Sequence, residues 1–152
     1  MKTLRYTLIT LVLLLGLSSC THNEGDIGIW FGTWQIEDVD CAELDLADTY
    51  YDPASAAIYF QFQGKMATVS MVNKLHDEKV DYGTWSEGDG TLDISFPDND
   101  VAYNHILTSL LGGNESRTFH FVITEQSAQS MTLSFFNTIW DQHWTLRLRK
   151  SP

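Results

Sequence analysis

Basic side chains and cysteines are both scarce in this chain. Nine Lys and Arg stand against twenty Asp and Glu, a formal net charge of −11 at pH 7. A surface of that sign repels phosphate backbones and anionic lipid, which argues against any nucleic-acid partner. The acidity needs no special role, because net charge far from zero keeps a small domain soluble. Catalytic signatures are missing too. The chain has no Gly-x-Ser-x-Gly, no His-Glu-x-x-His and no phosphate-binding glycine loop after a strand. His22, His76, His105 and His120 are scattered; Asp141 and His143 share one side of a strand, but two ligands do not make a metal site. Asp98 and Asp100 suit a helix N-cap better than a calcium loop. The expectation is a protein that is not an enzyme, with no metal and no cofactor. Only two cysteines occur, Cys20 and Cys41, so a disulfide within the chain would need both.

The first nineteen residues do not read as part of a folded domain. Lys2 and Arg5 make a short basic start, and 6–17 is mostly apolar but too short for an ordinary membrane span. Leu17-Ser18-Ser19-Cys20 closes the segment. This resembles the lipobox of bacterial lipoproteins. The resemblance implies cleavage before Cys20 and acylation of that cysteine with chains such as palmitate. Each buried methylene contributes about 0.8 kcal/mol, so several chains make an effectively permanent anchor to a membrane. In such lipoproteins an aspartate after the cysteine marks inner-membrane retention. Thr21 stands there, which points to the outer membrane and the cell envelope. The alternative is an ordinary secretory peptide, with Cys20 left free to bridge Cys41. With Cys20 acylated, Cys41 is a lone thiol and acts as a small buried hydrophobe. Its acidic neighbours Asp40 and Glu43 make it a poor nucleophile. Losing Lys2 and Arg5 leaves seven basic side chains against twenty acidic, or −13. On this reading 1–19 is a signal peptide, 20–29 a lipidated cysteine with a flexible tether, and 30–152 one domain.

Within that domain the dominant period is two. The opening run at 31–39 puts Trp34, Ile36 and Asp38 on one face, with Gln35, Glu37 and Val39 on the other. A long loop follows at 40–55, either a lid or a connection holding a helical turn near 42–46. Ile58, Phe60 and Phe62 alternate with Tyr59 and Gln61, and Gln63-Gly64-Lys65 reads as a hairpin. Strands follow at 66–72 and 79–85, and Gly88-Asp89-Gly90 is a second hairpin signal. Leu92, Ile94 and Phe96 define the fifth strand. The period then changes. Asp98-Asn99-Asp100 offers N-cap oxygens, Tyr103, Ile106, Leu107, Leu110 and Leu111 fall at helical spacing, and Gly112-Gly113 ends the run. Its apolar stripe must cover something, and the open end of a barrel is the natural candidate. Alternation resumes with Phe119, Phe121 and Ile123, then Met131, Leu133 and Phe135. The final strand covers 144–149. The expected fold is all-β, an up-and-down antiparallel barrel of about eight strands with one helix between the fifth and sixth, or failing that a two-sheet sandwich.

Gly32-Thr33-Trp34 on the first strand, with Arg147 or Arg149 on the last, resembles the lipocalin or calycin superfamily. The resemblance implies that Trp34 packs at the closed end and that a cation from the final strand lies across it. Arg147 is the first choice for that partner. The resemblance spans 30–150 in strand order and is closest to small lipocalin-like domains of bacterial lipoproteins. A second Gly83-Thr84-Trp85 echoes the first, as an internal duplication or as a coincidence of strand chemistry.

An eight-stranded barrel is just wide enough either to be filled by side chains or to hold one small molecule. A small apolar ligand would sit near the mouth, with Phe60, Tyr82, Phe96, Phe121, Ile106 and Leu110 as its candidate lining. The competing expectation is a filled barrel serving as a protein-interaction module, an envelope partner being met by Trp140 and the Tyr50-Tyr51 pair.

Overall fold

The structure is a computed structural model that describes residues 28–46, 50–97, 105–112 and 117–152. Cys20, the tether as far as residue 27, the three cap candidates at 98–100 and Tyr103 lie outside the described residues; the last two residues of the expected tether, Gly28 and Ile29, belong to a 3-10 turn.

Eight strands follow one another, joined by short turns except between the first and second and between the fifth and sixth. They are β1 (Thr33–Cys41), β2 (Ala56–Gln63), β3 (Met66–Asn73), β4 (Glu78–Gly88), β5 (Thr91–Ser95), β6 (Thr118–Gln126), β7 (Ser130–Asn137) and β8 (Gln142–Lys150). One helix, α1 (Ile106–Leu111), lies between β5 and β6, and a 3-10 turn at Gly28–Trp30 precedes β1. Each strand pairs with the next, and β8 returns to pair antiparallel with β1 from Trp34↔Lys150 to Cys41↔Trp144. The sheet is a closed barrel, which leaves no unpaired edge.

The turns follow their residues. Asp89 and Gly90, at φ 52° and 77°, form the two-residue connection of β4 and β5, where a primed turn needs positive φ at both places. Gly64 does the same work at the β2–β3 hairpin with φ 56°. No helix forms at 42–46. Leu44 N–H donates to the Cys41 carbonyl in a tight turn there. The helical-type turn of this loop comes later, where the Asp52 carbonyl accepts from the N–H groups of Ser55 and Ala56.

Two strands depart from simple alternation. In β1 the pairing with β8 slips between Ile36 and Asp38. The bulge reverses the phase, so Val39 and Cys41 turn inward and Asp38 turns out to meet Arg147. In β4 the inward set is Asp81, Gly83, Trp85 and Glu87. Gly83 faces Ala67 and Asp81 faces Val69, and both β3 partners are completely buried. Tyr82 therefore points out and is 61% exposed. Its expected place in the lining is wrong for that reason.

The barrel has two distinct ends. The β2–β3, β4–β5 and β6–β7 hairpins and the 3-10 turn lie at the floor. Residues 42–46 and 50–55, α1 and the β7–β8 hairpin lie at the mouth.

A Cβ at Gly83 would sit 2.5 Å from the Ser95 carbonyl oxygen and 3.2 Å from the Phe96 ring, whereas one at Gly88 would meet nothing within 4 Å. Gly83→Ala should therefore cost about 1–3 kcal/mol in urea unfolding, as overpacking does. Gly88→Ala should stay within about 0.5 kcal/mol of the parent.

Candidate functional site

The floor is built from the opening motif. Trp34 is fully buried and its Nε1 donates to the Trp30 carbonyl at 3.3 Å. Trp30 in turn donates from Nε1 to Glu87 at 2.5 Å and packs edge-on against Phe62, with ring centroids 4.9 Å apart. The cation across Trp34 is Lys150, with Nζ 5.3 Å from the ring centroid and 3.2 Å from the Ile29 carbonyl. Arg147 is not the partner. It pairs with Asp38 on the outer surface, and Arg149 pairs with Glu37 at 2.9 Å. The alternation of β8 explains this. Trp144, Leu146 and Leu148 are buried, and the next step of two falls on Lys150. Gly32 is needed on two counts. Its φ of 108° suits only glycine, and a Cβ there would come within 2.9 Å of the Lys150 stem.

The interior is filled. Trp34, Ile36, Phe60, Val69, Leu92, Ile94, Phe121, Leu133 and Leu146 are each 0% exposed, and they come from seven different strands. A lumen that could seat a ligand would leave its walls open to a water molecule, and these walls are not. Phe119, Phe121 and Phe135 pack with one another at centroid distances of 5.5 to 6.3 Å. Of the candidate lining, Phe60, Phe96, Phe121, Ile106 and Leu110 are all buried, the last two on α1.

At the mouth, α1 lies as a roof. It has six residues, and Ile106, Leu107, Leu110 and Leu111 are all buried. His105 stands at the N-cap position but makes no side-chain cap bond. A carboxylate from the wall takes that role instead, since Asp81 Oδ2 accepts the Ile106 N–H at 2.6 Å. At the far end the Tyr50 hydroxyl donates to the Leu110 carbonyl, and Asn137 Nδ2 donates to the Leu111 carbonyl at 3.0 Å. Gly112, at φ 81°, ends the helix against Asn137 and Trp140. The His105 ring stacks on Phe96 with centroids 4.4 Å apart, while its Nε2 is buried without a hydrogen-bond partner. Trp144 Nε1, also buried, has none either.

The outer rim of the mouth carries exposed apolar groups. Asn137 is 1% exposed and its Oδ1 accepts the N–H groups of Ile139 at 2.9 Å and Trp140 at 3.3 Å. This presents Ile139 and Trp140 to solvent, Trp140 at 62% exposure. Phe136 lies against His143 with ring centroids 4.5 Å apart, and His143 is held through N–H and Nδ1 by Glu43, each at 2.6 Å. These bonds from His143 hold the Glu43 carboxyl below its ordinary range. Leu44 follows directly. Tyr51 departs from the expected aromatic pair. Its hydroxyl donates to the Ile36 carbonyl and accepts from Ile58 N–H, each at 3.1 Å, so only Tyr50 of the two reaches the rim. Cys41 is a free, buried thiol, and burial pushes its pKa up. Among the described residues no three His, Cys, Asp or Glu side chains come together as a metal site.

Two outcomes test these assignments. Lys150→Ala should cost about 1 kcal/mol in denaturant unfolding through the lost cation–π contact. Arg147→Ala, an exposed pair, should fall within about 0.5 kcal/mol of the parent. Burial pushes the Tyr51 hydroxyl from 10.0 up to about 12. The protonated form is thus favoured by folding, and its contribution is complete below about pH 10 and lost as pH rises through about 12. Thermal melts of Tyr51→Phe should show a shallower loss of stability across that window than the parent.

No family model matches the chain, and no curated protein matches it. Solved structures do. A lipocalin-like protein from Bacteroides uniformis ATCC 8492 aligns with a TM-score of 0.62 at 17% identity, over 82% of this chain and 100% of that one. An uncharacterized protein from Bacteroides eggerthii DSM 20697 aligns with a TM-score of 0.62 at 19% identity, over 80% of this chain and 99% of that one. At such identities the likeness is one of fold. Closed by β1 on β8, with Gly32 and Trp34 at its floor, this domain is a lipocalin-like barrel.

Proposed function

We propose that this chain is a non-catalytic module of the bacterial cell envelope, anchored in the outer membrane through Cys20, that works through its outer surface. The observation that carries this reading is the filled interior. Apolar side chains without exposure line the barrel from floor to mouth, and α1 is bonded across the top. Recognition then falls to the exposed rim, where Trp and Tyr are the residues that most often anchor interfaces. The anchor reading is supported by the basic start, the apolar run and Leu17-Ser18-Ser19-Cys20.

A second reading has its own support. Lipocalin-like barrels are built to a size that can hold one small molecule. His105 Nε2 and Trp144 Nε1 are buried at the mouth with no partner, and an unpaired buried polar group costs about 1–3 kcal/mol. A small apolar ligand with one acceptor oxygen, seated under α1 beside Phe96, Ile106 and Leu110, would relieve that cost for Trp144.

One titration separates the two. Tryptophan fluorescence and dye displacement against a panel of fatty acids and bile acids should give no saturable response. A saturable response lost in Leu110→Trp would overturn the module reading and establish the second. The anchor is checked separately: cells fed labelled palmitate should label the parent protein and leave Cys20→Ser unlabelled.

A further inference from the structure

We infer that the mouth-end tip formed by Leu44, Phe136, Ile139 and Trp140 docks a basic, partly apolar protein segment. The inference rests on the interaction-module reading above and names the surface and the chemistry of its partner. These four side chains are between 41% and 62% exposed. They lie on two segments that are tied together: Glu43, next to Leu44 in sequence, holds His143, His143 lies against Phe136, and Asn137 fixes the backbone of Ile139 and Trp140. Asn137 is also bonded to α1, so the tip is held in place before any partner arrives. Ordering of that kind lowers the entropic cost of association.

Charge selects the occupant. Glu43, Asp45 and Asp141 edge the tip, and neither 40–46 nor 136–143 contains a Lys or Arg. A second copy of the mature chain would bring the same negative rim and the same net charge of −13, seven basic against twenty acidic side chains. An anionic bilayer is disfavoured for the same reason. Geometry adds to this. The eight residues from Cys20 to Gly28 reach at most about 28 Å, and Gly28 enters at the floor. An anchor at Cys20 therefore holds the floor near the membrane and directs the tip away from it. A Lys- and Arg-bearing segment with apolar side chains satisfies both the aromatic surface and its acidic edge.

The test uses a synthetic amphipathic Lys/Leu peptide, its Glu/Leu counterpart, phosphatidylglycerol vesicles and the mature chain alone. The Lys/Leu peptide should bind saturably and at least tenfold tighter than the Glu/Leu peptide. Raising the salt from about 0.05 M to about 0.5 M, where charges are screened within a few ångströms, should weaken it by a similar factor. The double variant Ile139→Ser, Trp140→Ala should lose at least tenfold in affinity, with thermal unfolding unchanged. Asp141→Asn should lose less; Asn tolerates the φ of 53° there. Tyr82→Ala, an exposed aromatic on the wall of β4, is the control for general attraction to an acidic protein and should bind like the parent. Equal binding by the tip variant, equal loss in Tyr82→Ala, self-association, or binding to vesicles in place of the peptide overturns the tip assignment. A saturable fatty-acid response with normal peptide discrimination overturns the module reading and leaves the tip standing.

Discussion

The antiparallel seam between β1 and β8 is the interaction on which the rest of the structure depends. It turns a row of eight strands into a ring and sets Trp34 opposite Lys150 at the floor. Once that ring is closed, each inward side chain has neighbours on both sides and across the lumen. The apolar set from seven strands then needs no ligand to complete its packing. Lys150 is the last residue of β8, and it is held by three things at once: the Trp34 face, the Ile29 carbonyl and the space left by Gly32. A cation at that position secures the end of the chain as well as the floor of the barrel.

Much of the fold was legible because period-two alternation is clean in most strands. Ile58-Phe60-Phe62, Leu92-Ile94 and Phe119-Phe121 all point inward as their spacing requires. Two strands hid their phase. The bulge in β1 changes face midway, and no residue type marks a bulge of that kind when no glycine is present. In β4 the inward face holds Asp81, Gly83 and Glu87, which polarity alone assigns to solvent. Each carboxylate there has a donor: half-buried Asp81 takes the Ile106 N–H, and Glu87, exposed near the strand's end, takes the Trp30 indole. A pattern argument cannot see partners that lie 25 and 57 residues away.

The proposed docking surface was partly legible. Trp140 was recognisable as an exposed aromatic in a turn. Its anchoring by Asn137 was not, because asparagine in a loop usually signals turn chemistry with water nearby. The cation across Trp34 was misassigned for a simpler reason. Both arginines lie on the outward face of β8, whereas counting by two from Trp144 arrives at Lys150. The helix stripe is legible at Ile106, Leu107, Leu110 and Leu111, but the partner of its first N–H, Asp81, is not. A tertiary carboxylate can replace a local cap, and sequence near the helix gives no sign of it.

Asn137 joins two parts of the molecule that sequence keeps 26 residues apart. One amide bonds to the end of the roof helix, and the same group holds the backbone of the hairpin beneath Trp140. Removing that one side chain would therefore take a hydrogen bond from the helix end and two from the hairpin at once.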